Sequence, residues 1–174
     1  HSGFTRYVTT ETSAWFLSTT GELVLTMDGA SFSVVRQGPD WFDGLSDGDT
    51  MVVLGRAGEL AISRDQGTTF VRSSLIGARD GLRGIYKYAP GHYVAFGDLG
   101  TLYVTQDSGT TWNNLSHVGW ENLSAASGDS SRLYLVSSRF EYSSNNVVVS
   151  TDGGVSFTLD DVATAPFSCT NPFR

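Results

Sequence analysis

The stretch SRDQGTTF at residues 63–70 recurs along this chain and decides its fold. It returns as TQDSGTTW at 105–112 and as STDGGVSF at 150–157, and a shortened copy reads TMDGASF at 26–32. The aspartate shared by successive copies recurs after 37, 42 and 45 residues. A period of this length is typical of four-stranded propeller blades. The sequence therefore predicts four structural repeats.

The residue types in these stretches suit a tight turn between two strands. An Asp carboxylate accepts backbone N–H groups across such a turn, and the Ser or Thr hydroxyl adds a local hydrogen bond. Gly supplies a backbone position with positive φ, and the final aromatic residue starts the next strand and packs between sheets. We predict a structural role for Asp28, Asp65, Gly67, Phe70, Asp107, Gly109, Trp112, Asp152, Gly154 and Phe157.

Short apolar runs bounded by glycine turns precede each copy. In the third repeat, residues 93–96 and 102–104 flank the turn 97–100, and runs of this kind indicate strands. No segment shows a sustained helical period. The predicted fold is therefore all-β: a β-propeller of four four-stranded antiparallel blades. The innermost strands are predicted at Phe4–Thr9, Trp41–Leu45, Gly84–Tyr88 and Glu121–Ala125.

Two architectures are open at this point: a closed ring, and an arc of a larger propeller that is completed by further sequence or by another copy. An open arc would leave apolar blade faces bare, so packing favours closure or assembly, and we expect a closed ring. The predicted propeller domain is 1–162, with blades at about 4–36, 41–75, 82–116 and 120–160 and a C-terminal tail at 163–174.

The pattern S/T-x-D-x-G-x-T/S-W/F resembles the Asp-box, also called the bacterial neuraminidase repeat. Residues 100–112 are similar to the repeat of photosystem II stability/assembly factors, a type widespread in bacterial exported proteins and phage virion proteins. The resemblance covers roughly residues 4–160. It implies that the aspartate turns lie away from the ligand face, and that the protein is extracellular, periplasmic or virion-associated.

Composition excludes several other classes of protein. The chain has 174 residues and a formal net charge of −7, which is too acidic for a non-specific nucleic-acid binder. Its apolar runs fall far short of the roughly 20 residues of a membrane-spanning helix. Cys169 is the single cysteine and the three histidines show no metal-ligand spacing, so we expect neither a metal site nor a cofactor.

Asp-boxes also occur in sialidases, so catalysis is an alternative. A sialidase-like site needs an arginine triad for a carboxylate, a Tyr–Glu pair and an acid/base, and it begins with an Arg-Ile/Leu-Pro motif that this sequence lacks. Other glycoside hydrolases use paired carboxylates. Here the acidic pairs are more typical of solvated turns; they are Asp40/Asp43, Asp47/Asp49 and Asp160/Asp161.

The loops on the face opposite the aspartate turns supply the candidate binding residues. Trp, Arg and Asp side chains together suit the recognition of protein or carbohydrate. For the two tryptophans among them, the alternative is that they open inner strands and pack in the core. The candidates are Arg36, Asp40, Trp41, Arg56, Arg79, Asp80, Asp98, His117, Trp120, Arg139 and Tyr142.

These patterns favour a non-enzymatic propeller that binds or scaffolds a protein or a cell-surface glycan. Two alternatives stay open: a sialidase-like or other Asp-box glycoside hydrolase, and a purely structural virion or fibre domain. Nucleic acid and a membrane span are not expected, whereas assembly with further copies of the chain is an open alternative.

Overall fold

The computed structural model describes residues 3–10, 13–18, 20–38, 41–55, 58–75, 77–78, 81–117, 121–138 and 146–160. These residues form four antiparallel sheets of four strands each, and each sheet follows chain order from its first strand to its fourth. The prediction of an all-β fold with four four-stranded blades is confirmed.

The strands are numbered along the chain, four to a blade. The first blade is β1 (Phe4–Thr9), β2 (Ala14–Ser18), β3 (Glu22–Thr26) and β4 (Ser33–Gln37). The second is β5 (Trp41–Asp47), β6 (Thr50–Gly55), β7 (Glu59–Ser63) and β8 (Val71–Ser74). The third is β9 (Leu82–Ala89), β10 (His92–Gly97), β11 (Leu102–Thr105) and β12 (Asn113–Asn114). The fourth is β13 (Asn122–Gly128), β14 (Leu133–Ser138), β15 (Asn146–Ser150) and β16 (Thr158–Asp160).

The core consists of one apolar layer at each junction between successive blades. Alternate residues of the second and third strands point to opposite faces, so each central blade packs on both of its neighbours. In the second blade, Val53 faces the first blade and Val52 faces the third, and both are fully buried. Val94 and Leu135 meet at the third junction.

The four blades form an open arc rather than a closed ring. The innermost strands pack in the order β1, β5, β9, β13, and within the described ranges β1 and β13 share no comparable packing. Leu45 and Ile85, from the innermost strands, lie in the buried junction between the second and third blades. Of the two architectures, the structure shows the arc, so the expectation of a ring closed within one chain is wrong.

The four aspartate turns share one hydrogen-bond pattern. In the second blade the Ser63 hydroxyl donates to Asp65 Oδ1 at 2.7 Å and accepts the Gly67 N–H at 2.7 Å, while Thr69 donates its N–H at 2.8 Å and its hydroxyl at 2.6 Å to the Asp65 carboxylate. Asp107 and Asp152 accept equivalent bonds. Each carboxylate thereby closes its own turn.

The turn of the first blade is one residue shorter but uses the same chemistry. Asp28 accepts the Ser31 N–H at 2.7 Å and the Ala30 N–H at 2.9 Å. These donors hold the pKa of Asp28 at about 2. The pKa of Asp65 is held at about 2 by the Thr69 hydroxyl and N–H, and that of Asp152 is likewise about 2. All four turns lie on one side of the arc, called here the turn face, and the opposite side is called the loop face.

Candidate functional site

Only part of the predicted loop-face set falls on described side chains. Arg36 lies in β4 and pairs with Leu23, but its side chain is outside the described part. Trp41, Asp98 and His117 are described. Seven predicted binding residues lie outside the described residues: Asp40, Arg56, Arg79, Asp80, Trp120, Arg139 and Tyr142.

Trp41 belongs to the core and not to a binding surface. It opens β5 and is 1% exposed, packed with Trp15 and Met51 in the junction between the first two blades. A fully buried indole offers no face to a ligand, so its prediction as a binding residue is corrected. The sequence predicted that Trp41 opens an inner strand beside a loop, and the structure places its side chain in the junction, as the core alternative requires.

Asp43 and Asp47 also correct an expectation, because neither is a solvated turn residue. Asp43 is buried in β5, where it accepts the Ile85 N–H at 3.0 Å and pairs with the Arg6 guanidinium at 2.9 Å. Burial raises the pKa of Asp43 even though Ile85 and Arg6 favour the ionised form. This one carboxylate links the first three blades near the axis.

Asp47, at the other end of β5, ties the second blade to the third. It accepts bonds from the Lys87 ammonium at 2.8 Å, the Gly91 N–H at 2.6 Å and the Tyr93 hydroxyl at 2.9 Å. Burial together with the Asp47 charge raises the pKa of Tyr93 to about 12. Each of the three described partners of Asp47 lies in the third blade, so both aspartates act as junction ties.

A β-bulge recurs at the loop-face end of every innermost strand. Where the first strand of each blade pairs with the second, the register shifts by one residue. The extra residues are at positions 5, 42, 83 and 124. A bulge leaves its extra residue unpaired in the ladder and re-aims its side chain, and bulges are frequent beside functional sites. In the third blade the bulge residue is Arg83, whose side chain is about half exposed.

Arg83 forms an ion pair with Asp98, one of the predicted binding residues. Asp98 begins a single 3₁₀ turn over Asp98–Gly100, which joins β10 to β11 on the loop face. Gly81 makes room for this approach: its φ is +62°, and a Cβ there would lie 2.3 Å from Asp98 Oδ2. The sequence indicated Asp98 by its loop position but not its partner, because a bulge leaves no mark in residue type.

Leu99 is the unusual residue of this turn. It has φ 52° and ψ 39°, the left-handed conformation that L-residues avoid, and its side chain is 69% exposed. Its N–H donates to Asn122 Oδ1 at 3.0 Å, and the Gly100 N–H donates to the Glu121 carbonyl at 3.0 Å. The fourth blade therefore fixes the turn in place. Backbone outliers of this kind cluster at ligand clamps and other functional sites.

His117 lies beside the same turn, because its N–H donates to the Gly100 carbonyl at 3.1 Å. The structure thus brings together Asp98 and His117 from the predicted set, and it adds three residues that the sequence reasoning missed. The group that we call the Leu99 site consists of Arg83, Asp98, Leu99, His117 and Asn122. A leucine inside the glycine-rich turn 97–100, next to Asp98, was the available signal for Leu99.

A cavity on the turn face makes a poorer site. It has a volume of about 560 Å³ and is lined by Trp15, Met27, Arg64 and Gln66, among others. Its polar groups already have partners: Arg64 donates to the Thr110 hydroxyl at 3.0 Å, and Gln66 donates to a neighbouring aspartate. Within the described ranges, no three His, Cys, Asp or Glu side chains cluster closely enough to hold a metal ion.

Comparison with solved structures agrees with the observed architecture. The structure of YCF48 bound to a D1 peptide matches with a TM-score of 0.66 at 18% identity, over 94% of this chain and 55% of that one. The chain is an arc of a β-propeller. It spans about half the length of the YCF48 structures, and it also matches an ancestral GH74 enzyme (TM-score 0.67, 10% identity) over 92% of its own length and 25% of the enzyme.

The computationally designed Ika4 protein differs from these in length. It matches with a TM-score of 0.68 at 12% identity, over 88% of this chain and 93% of that one. No protein-family profile and no curated protein matches the chain. At these identities the solved structures show the fold alone. Among the residues that the structure describes, no helix is long and apolar enough to cross a membrane.

Proposed function

We propose that this propeller arc is a non-enzymatic binding module that recognises a protein segment at the Leu99 site. The observation that carries the proposal is Leu99 itself, an exposed leucine in a left-handed conformation. A strained backbone that holds an apolar side chain in solvent opposes stability, and such strain is retained where function needs it. YCF48, of which this chain matches 55%, has been solved with a D1 peptide, and this supports peptide recognition by a propeller arc.

The chemistry of the site fits a peptide with an apolar anchor. Leu99 supplies the apolar contact, and the Arg83–Asp98 pair beside it supplies charges of both signs that orient polar groups of a partner. Exposed pairs of this type contribute specificity more than affinity. Because the turn is already fixed by Asn122 and Glu121, little ordering free energy is lost on binding.

We infer that the four turns are Asp-boxes with a structural role. The oxygens of Asp65, Asp107 and Asp152 accept hydrogen bonds from the hydroxyl two residues before and from the residue four after, so they have little capacity left for a calcium ion. This supports a module of the type found in exported bacterial and virion proteins. An extracellular, periplasmic or virion-associated setting is part of the proposal.

Panning a random-peptide phage library on the immobilised chain tests the proposed site. Selected peptides are expected to lose binding at least about tenfold on Leu99→Asp, because the anchor contact is replaced by a solvated charge. They should keep their affinity for Val71→Asp, a matched change of an exposed apolar residue on β8 of the second blade. Arg83→Ala should alter which peptides are selected.

Three outcomes would contradict the proposal. Peptides that bind Leu99→Asp as well as the parent chain would move the site elsewhere. If the chain hydrolyses fluorogenic sialosides or β-glycosides and this activity is lost on mutation of Arg56, Arg79 or Arg139, the protein is a glycoside hydrolase and not a binding module. Glycan-array binding that depends on Leu99, without selectable peptides, would replace the protein partner with a glycan.

A further inference from the structure

Every internal junction is built from two faces with fixed composition. The leading face of a blade is the set of alternate residues in its strands that points to the next blade, and the trailing face points to the preceding blade. Between the second and third blades, the leading pairs Val52–Ile62 and Leu54–Leu60 meet a trailing face that includes Tyr93. All of these side chains are buried.

The leading face of the fourth blade has the same construction but no neighbour in the described structure. Its cross-strand pairs Tyr134–Val149 and Val136–Val147 occupy the ladder positions of Val52–Ile62 and Leu54–Leu60. Each position is again apolar, yet Tyr134 and Val136 are 38% and 40% exposed. If these four residues stabilised only the fourth blade, they would not need to repeat the apolar pattern of a buried junction between blades.

The trailing face of the first blade is partly exposed. Tyr7, Phe16, Val24 and Val34 form one cross-strand row through all four strands, in which Tyr7–Phe16–Val24 matches the buried trailing row Ile85–Ala95–Tyr103 of the third blade. Tyr7 is 67% exposed and Val34 is 54% exposed, whereas Phe16 is half-buried and Val24 is buried.

Phe32 also has no preceding blade to pack on among the described residues. The aromatic residue that ends each aspartate turn packs on the preceding blade: Phe70 meets Trp15 edge-to-face at 5.8 Å, and Phe157 packs in the junction with the third blade. In the first blade, Phe32 contacts only the Phe16 ring of its own blade among the ring pairs of the described residues, at 5.9 Å, and is exposed. The first blade therefore carries the parts of a trailing face that no described blade covers.

We propose that a second copy of this chain covers both faces, head to tail. The leading face of the fourth blade in one copy packs on the trailing face of the first blade in the other, and the same contact repeats on the far side. The two faces are different surfaces, so the contact is heterologous, and two such contacts close a two-fold ring of eight blades.

Three observations favour a second copy as the occupant. The two faces are of the kinds that already meet at three junctions within the chain, so they are complementary by construction. The rows of both faces are apolar except for Asp160, which pairs with Val147 in the outermost strand of the fourth blade, so little of the net charge of −7 lies in the contact. The solved structure of Ika4 matches this chain over 93% of its own length, so an arc of this extent accounts for nearly all of another solved chain.

The molar mass of the full 174-residue chain tests this inference directly. Light scattering after size exclusion and sedimentation velocity should both give about twice the 18.7 kDa of one chain across a micromolar dilution series. A mass of one chain throughout that series would overturn the proposal and assign the faces to further blades of a longer protein or to a different partner. A mass that grows with concentration beyond two copies would overturn the closed ring.

Two variants then test the head-to-tail geometry. Val136→Asp breaks the leading face and Tyr7→Asp breaks the trailing face, and each alone should raise the dimer dissociation constant at least about a hundredfold. Mixed in equal amounts, the two variants should form a mixed dimer through the one junction that is intact on both sides. A native mass spectrum of differently tagged chains measures this recovery.

A symmetric contact between like faces predicts the opposite pattern. One of the two variants would then still dimerise alone, and mixing would recover nothing, which would overturn the head-to-tail arrangement. Val71→Asp, exposed at the outer edge of the second blade, is the matched control and should stay dimeric. Circular dichroism checks that each variant folds, and Val34→Asp on the same face replaces Tyr7→Asp if that variant does not.

Discussion

The turn face and the loop face of this arc are built on opposite principles. On the turn face, the same hydrogen bonds recur in all four blades around Asp28, Asp65, Asp107 and Asp152. On the loop face, the turn over Asp98–Gly100 holds Leu99 in a left-handed conformation in solvent, and its hydrogen bonds go to the next blade rather than to its own turn. The comparison teaches that the repeated residues specify the blades, whereas an exposed residue outside the repeated turns is the candidate for function.

The largest expected loss of stability comes from a substitution of Gly67, which lies on the turn face. This glycine has φ +88°, and a Cβ there would lie 2.2 Å from the Trp15 ring of the first blade. We expect Gly67→Ala to lower the free energy of unfolding by about 3 kcal/mol, because the new methyl group both strains the backbone and displaces the indole. Urea unfolding measures the change.

Gly29 is the matched control for this prediction. It also has a positive φ, +72°, but a Cβ there would meet nothing within 4 Å. Gly29→Ala should therefore lower the free energy of unfolding by only about 1 kcal/mol, the backbone contribution alone. Equal losses for the two variants would show that the contact with Trp15 contributes nothing.

The next largest effect concerns Asp43, which supports the loop-face end of the blade junctions. Asp43→Ala leaves the buried Ile85 N–H without its acceptor and Arg6 without its carboxylate. We expect a loss of about 2 kcal/mol in the free energy of unfolding. Asp43→Asn keeps an acceptor oxygen and should lose less.

Asp49 is the control for Asp43, since it is exposed and its described side-chain bond is to Gln66. Asp49→Ala should leave the unfolding midpoint nearly unchanged. If Asp49→Ala and Asp43→Ala destabilised the protein equally, the role of Asp43 as a junction tie would be refuted.

Acid should weaken the turn face progressively. The pKa values of Asp28, Asp65 and Asp152 are about 2, below their usual 3.8, because each carboxylate accepts several hydrogen bonds. A lowered folded-state pKa gives stability that is present above about pH 4 and is lost as the pH falls towards 2. Asp43 has a raised pKa and acts in the opposite sense.

Urea unfolding at pH 7, 4, 3 and 2 measures this dependence. The free energy of unfolding should fall mainly below pH 4. Asp65→Asn should be less stable than the parent chain at pH 7 and should show a smaller fall, since one of the linked carboxylates is gone. An identical pH profile in the variant would refute the contribution of Asp65.

The sequence predicted the sheets well because their determinants are local. The Ser63–Asp65–Thr69 turn is complete within seven residues, and its period repeats the strands around it. Ring and arc were both open from the sequence, because the angle between blades depends on contacts across the junctions, such as those of Leu45 and Ile85, which no single repeat determines. A binding role and a core position were both open for Trp41, because residue type alone does not distinguish an aromatic residue at a loop end from one in a core.

The loop-face site was predicted only in part for a similar reason. Asp98 could be placed on this face by topology, but the bulge that aims Arg83 at it is a property of the strand pairing. The conformation of Leu99 depends on hydrogen bonds to Asn122 and Glu121, which belong to the next blade. The sequence of one repeat therefore does not predict a site that depends on contacts between two blades.

The smallest expected change in the free energy of unfolding is also the most informative about the two faces, because it concerns Leu99 itself. Leu99→Gly removes the left-handed strain of a residue with a Cβ, and the greater chain entropy of glycine in the unfolded state offsets part of that gain. The free energy of unfolding should therefore rise by no more than about 1 kcal/mol, while peptide binding is lost. Leu99→Ala keeps the strain and removes the exposed side chain, so its stability should be unchanged and its binding weak. A large loss of stability in Leu99→Gly would mean that the leucine serves the fold, whereas higher stability with lost binding would show that this turn keeps its strain for recognition.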